Sequence, residues 1–150
     1  MTETFVSSIF VGFNRAYIYI WVSKTHKVIY VGMTNSRNGT LGRASQHLDA
    51  RGTLRTNFLN NVGYNIDHTN DLKLLSFRLP ATKNFTSVER SYREAVEYLV
   101  QKELLLLRGT VAPTFDVISW VRASSRLGNG VVRKAANEIV KEFKVIYPTL

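Results

Sequence analysis

Cysteine is absent from the 150 residues, which excludes both a disulfide frame and a Cys-ligated zinc site. Histidine is scarce. His26, His47 and His68 are the full set, too few for a His-rich metal cluster. No run approaches the roughly 18 uninterrupted apolar residues that a bilayer span needs. The opening stretch, MTETFVSSIFVGF, lacks the basic start of a secretion signal and its apolar run is short. A cytoplasmic protein without a membrane partner is therefore expected. Acidic residues are also few, 11 against 20 Lys and Arg, and the formal net charge is +9. Such a balance points to an anionic partner, most often nucleic acid.

What is present is the composition of a globular protein: 45% hydrophobic and 11% aromatic residues, with no internal repeat or low-complexity tract. The length suits one domain covering 1–150. Residues 15–23 and 27–33 are rich in β-branched and aromatic side chains and are separated by the polar break Lys24 to His26, which predicts a β-hairpin. NSRNG (35–39) is turn chemistry. A short helix over 41–50 with Thr40 as N-cap follows, then a second over 53–62 capped by Thr53 and ended by Gly63. Residues 64–71 read as a polar loop and 72–79 as a third strand. A long helix is expected from Thr86 or Ser87 to about Leu107, with Thr86 and Glu89 as a capping box. An irregular link covers 111–120. A terminal helix over 130–143 carries Arg133, Lys134, Lys141 and Lys144 on one side. The expected fold is α+β: a small three-stranded antiparallel sheet flanked by helices, with a basic C-terminal helix.

The residues suited to chemistry cluster early. Tyr17 and Tyr19 point to one face of their strand, and Tyr30 in the next strand can join that face. Each alone would be ordinary half-buried packing. Arg43 and His47 are four apart, so they share one face of a helix. Arg can hold a phosphate oxygen and offset charge that builds in a transition state. His can give or take a proton. The long helix carries Glu89, Glu94, Glu97 and Glu103, any of which could supply a carboxylate oxygen to a divalent cation. Glu103 stands beside the apolar run 104–107.

In order and spacing these residues resemble the signature of the GIY-YIG nuclease superfamily. Tyr17-Ile18-Tyr19 and Tyr30-Val31-Gly32 stand for its two elements, with Tyr19 and Tyr30 eleven residues apart. Arg43 and His47 match its Arg and the His one turn on, and the order β-β-α-α-β-α matches its core over about residues 14 to 118. Two positions depart: Tyr17 replaces the first Gly of the signature, and Asp116, in APTFD, stands where a late Asn is usual.

The resemblance implies a metal-dependent endonuclease that hydrolyses phosphodiester bonds in DNA with one divalent cation, Mg²⁺ or Mn²⁺, held by a single Glu. It implies Glu103 as the metal ligand, thirteen residues before Asp116 and ten before Pro113, with Glu97 as the alternative. Tyr19 or Tyr30 would activate water while the other holds the phosphate. Arg43 would stabilise the phosphate, and His47 would assist proton transfer. Because an ordinary phenol has a pKa near 10, neighbouring charge must favour phenolate, or the Tyr must only orient water. Candidates for backbone contact are Arg51, Arg55, Lys83, Arg90, Arg93, Arg122, Arg126, Arg133 and Lys134, with Trp120 available for stacking. An inactive nucleic-acid-binding module, or one subunit of a larger or self-associated nuclease, is the alternative.

Overall fold

The protein is described here by a computed structural model covering residues 14–150; the MTETFVSSIFVGF stretch lies outside the described residues. Strands β1 (Tyr17–Ser23) and β2 (Val28–Thr34) form the expected antiparallel hairpin. Its turn needs a residue with positive φ, and Lys27 takes that role at 54°. The carboxylate of Asp71 clamps the turn, accepting from Ser23 Oγ at 2.8 Å and from Thr25 N at 2.7 Å. Strand β3 (Lys73–Arg78) pairs antiparallel with the other side of β1.

The architecture is α+β, but the sheet is not three-stranded and antiparallel. A two-residue strand, β4 (Asp116–Val117), runs parallel to the start of β2 and makes a four-stranded mixed sheet in the order β3-β1-β2-β4. It is held by bonds from Asp116 N to Lys27 O (2.8 Å) and from Ile118 N to Ile29 O (2.9 Å). Two residues are too few to carry a period, so this part of the 111–120 link had no strand signal to show.

Both faces of the sheet are covered. Ile18, Ile20, Ile29 and Val31 face helices α4 (Ser91–Leu107) and α5 (Gly130–Ile146), packing with Val96, Val100, Ile139 and Phe143. Tyr19, Trp21, Val28 and Tyr30 face α1 (Gly39–Leu48) and α2 (Thr53–Val62), packing with Ala44, Leu54 and Phe58. Burial on both faces is why β1 is rich in apolar residues throughout rather than alternating with polar ones. The terminal helix keeps its basic positions exposed, as expected, and its Asn129 cap accepts from Val131 N and Val132 N.

Three helix starts differ from expectation. Thr40 lies inside α1 and its hydroxyl bonds Ser76 Oγ of β3 at 2.5 Å, so it ties helix to sheet instead of capping. Thr53 is the first residue of α2, not its cap. Gly52 holds that place, where a Cβ would stand 2.0 Å from the carbonyl oxygen of His47. The long helix begins at Ser91. Residues Lys83–Thr86 form a separate turn, α3, and the Thr86–Glu89 box does not form. The cause is Arg93. Its guanidinium, 1% exposed, donates to the carbonyls of Phe85 (2.6 Å) and Ser87 (2.8 Å) and folds the chain back between the two helices.

Beyond the first two residues of β2, the outer edge of that strand has no strand partner among the described residues. Helix α4 lies along it, and Gln101 satisfies the exposed backbone. Its Nε2 donates to Val31 O (3.5 Å) and to Ser119 Oγ (3.1 Å), while Ser119 Oγ accepts from Val31 N (2.8 Å). Gln101 Oε1 accepts from Val121 N at 3.1 Å. Replacing a fully engaged buried amide by an apolar isostere leaves these groups unsatisfied. Gln101→Leu should lower unfolding free energy by about 1–3 kcal/mol, seen as a lower urea midpoint at unchanged slope.

Candidate active site

The strand register puts Tyr19 opposite Gly32 and Trp21 opposite Tyr30. Gly32 leaves the space that the Tyr19 ring occupies: a Cβ there would sit 2.3 Å from the phenol ring and oxygen. With that room, the Tyr19 hydroxyl reaches Nε2 of His47 at 2.5 Å. The His47 ring also lies 5.2 Å from the Tyr30 ring centroid, so helix α1 inserts its imidazole between the two strands' phenols. Thr53, at the start of α2, lies near enough to Tyr30 to favour its ionised form slightly.

Burial sets the protonation states. It drives the Tyr19 phenol well above its ordinary range, with Tyr30 adding to the rise and Arg43 opposing it. Burial and the charge of Glu97 push Tyr30 up to about 12. Burial, then Arg43, pushes His47 down to about 4. At neutral pH both phenols keep their protons and the imidazole is uncharged. The Tyr19–His47 contact is a neutral bond, and Nδ1 of His47 has no partner among the described residues.

Arg43 sits one turn before His47, half-buried, and donates to Gln46 Oε1 at 2.7 Å. It lines a cleft of about 290 Å³ together with Asn35, Gln46, Arg90 and Arg93. Three guanidinium groups in one cleft make a basic mouth beside the phenols.

The carboxylate that faces this cluster is Glu97, and the structure does not bring Glu103 to it. Glu97 acts electrostatically on Tyr19 and Tyr30 and is itself acted on by Arg43 and Arg90. Gln101, one turn on, pins that face of α4 to β2. Six residues separate Glu97 from Glu103, about 240° of rotation at 100° per residue. Glu103 accordingly lines a different cleft, with Arg133 and Asn137 of α5. Burial, with Glu94 adding, pushes the Glu97 carboxyl up to about 8, while Arg43 and Arg90 pull it down. Asp116 is also remote. It lies at the turn end of β2, exposed, paired with Arg108 at 2.9 Å.

The basic residues divide. Arg51, Lys83 and Arg122 are exposed, and Arg90 is exposed at the cleft, 3.0 Å from Glu94. Arg93 is buried on backbone carbonyls and cannot act as a free surface cation. Arg55 is committed to Asp67 and to Leu48 O. Arg126 lies over the Tyr92 ring, 4.9 Å from its centroid, and 3.6 Å from Glu89. Arg133 donates to Leu127 O at 3.0 Å, and Lys134 is 4.0 Å from Glu138. Among the described residues no helix is long and apolar enough to cross a membrane. No protein-family model matches the chain, and no curated protein and no solved structure is significantly similar to it.

Between about pH 4 and 8, Glu97 and His47 give stability opposite pH dependences. The folded state binds the Glu97 proton more tightly than the unfolded chain does, so this contribution is full below pH 4.5 and is lost as pH rises through about 8. His47 is kept neutral by folding, so its contribution is full above pH 6.5 and is lost as pH falls through about 4. In EDTA, Glu97→Gln should remove the Glu97-linked loss of stability between pH 4.5 and about 8 while leaving the acid-side loss in place, measured by urea unfolding across pH.

Proposed function

We propose that this protein is a metal-dependent endonuclease of GIY-YIG type that hydrolyses phosphodiester bonds in DNA, with Glu97 in place of Glu103 as the metal ligand. The observation that carries the reading is the convergence of Tyr19, Tyr30, Arg43, His47 and Glu97 on the α1 face of the sheet toward its β2 side, beside a basic cleft.

Among the described residues no group of three or more His, Cys, Asp or Glu side chains is placed to hold a metal ion. A single-carboxylate site is nonetheless compatible with Mg²⁺, which keeps several waters and takes other oxygens from substrate phosphate. Glu97 suits that role, being half-buried with no hydrogen bond or ion pair among the described residues to satisfy its carboxylate. A divalent cation bound there would supply charge neutralisation at the phosphate and a more acidic water. Because the carboxyl holds its proton up to about pH 8, cation binding must displace that proton.

The chain's own residues divide the remaining work. Arg43 donates to a non-bridging oxygen and offsets the charge that develops on it. Tyr19 passes a proton from the attacking water to His47 Nε2, giving up its own as the new one arrives, so a free phenolate need not form. A phosphate in the cleft raises the affinity of His47 for that proton. Tyr30 is less deeply buried and can orient the phosphate.

The near-complete burial of Tyr19 (1% exposed) and His47 (3%) favours a second reading, a binding module that keeps the fold without the chemistry. Nicking of supercoiled plasmid separates the two. Nuclease activity should need Mg²⁺ or Mn²⁺ and stop with EDTA. Arg43→Ala and Glu97→Gln should each lose about 10²–10³-fold, while Glu103→Ala stays within a few-fold of wild type. Undiminished cleavage by a folded Arg43→Ala, Glu97→Gln double variant would sink the nuclease assignment. Salt-sensitive binding with no cleavage at any divalent concentration would favour the module.

As a separate check on the ligand, Mg²⁺ should raise the melting temperature of wild type more at pH 8 than at pH 6. It should not raise that of Glu97→Gln at either.

A further inference from the structure

Trp120 is the most exposed large aromatic among the described residues, at 76%, and its neighbours give it a use. It stands beside an apolar pocket of about 120 Å³ whose floor is the stripe Tyr98, Gln101, Lys102 and Leu105 on α4. These positions recur at helical spacing, so they form one continuous wall. The pocket opens to solvent, so a flat ring can lie against its apolar wall without being enclosed by it. Trp120 is fixed against this wall from both sides. Ser119 is bonded to Gln101 and Val31, and Val121 N is bonded to Gln101 Oε1.

The charge around the pocket identifies the occupant. Lys102 lines it and is exposed, and Arg122 is exposed two residues after Trp120. Tyr98 and Lys102 also line the neighbouring cleft with Arg133. An apolar slot for one ring, walled by aromatics and flanked by cations, suits a nucleobase carried on a phosphate chain. Gln101, at the pocket floor, is one turn from Glu97, about 6 Å along the helix. That is within two base steps of about 3.4 Å each.

We propose that Trp120 and the Tyr98–Leu105 stripe hold one unstacked nucleobase of a single-stranded segment, within one or two nucleotides of the phosphate at the Glu97 cluster. The proposal rests on the reading that the partner is nucleic acid, and it names the class of that partner: DNA with an unpaired base beside the site.

Emission from the two tryptophans supplies the test, since Trp21 is buried and Trp120 is not. In EDTA, titration with an oligothymidylate of about twelve nucleotides should quench the exposed component, as expected when a base stacks on it. Trp120→Ala should weaken that oligonucleotide about tenfold and leave a blunt duplex of matched length unchanged. Trp120→Phe should keep most of the affinity. Binding of the oligonucleotide without quenching, or equal weakening of both DNAs in Trp120→Ala, would overturn the proposal. So would light scattering that shows a dimer which Trp120→Ala makes monomeric. Binding of neither DNA would overturn it together with the reading on which it rests.

Discussion

The unpaired edge of β2 is the constraint on which the site depends. A strand whose backbone is left open must find donors and acceptors elsewhere, and here a glutamine on a helix supplies the donor and the Ser119 hydroxyl the acceptor. That fixes the rotation of α4 about its axis. Once Gln101 is turned to the strand, Glu97 is turned to the phenols, Arg90 to the basic cleft, and Glu103 away from both. A sheet with a full strand at this edge would keep the helix and lose its carboxylate.

A second constraint operates across the hairpin. Tyr19 can lie flat toward His47 only because its cross-strand neighbour has no side chain. The glycine thus acts through the volume it leaves empty, and the turn between α1 and α2 has the same requirement at Gly52. Gly32 makes room for a side chain and Gly52 for the His47 backbone, and between them two phenols and an imidazole are buried together.

Much of this was legible in the sequence. The hairpin, both early helices, the third strand and the terminal helix lie close to where composition and turn chemistry put them. The shared face of Tyr19 and Tyr30 follows from the period of a strand, and the Arg43–His47 relation from the turn of a helix. What could not be read was anything set by side chains meeting across long sequence separations. The resemblance and linear distance to Pro113 and Asp116 pointed to Glu103, whereas which glutamate of α4 lies near Tyr19 and Tyr30 depends on contacts such as that between Gln101 and Val31, seventy positions apart. The same holds for Arg93, a surface cation by composition and a backbone clamp in the fold, and for β4, whose two residues pair only because the hairpin already exists.

Arg93 has a further consequence. Its guanidinium is buried on carbonyl oxygens, and among the described residues no carboxylate is paired to it and its Nε has no partner. A guanidinium stays charged at any pH the protein can survive. The field at the mouth of the cleft therefore contains a permanent positive contribution that neither acid nor base can switch off, while Glu97 and His47 change charge nearby. For an anionic partner of the kind proposed, attraction to the cleft should follow ionic strength at every pH and weaken above about pH 8, where Glu97 ionises.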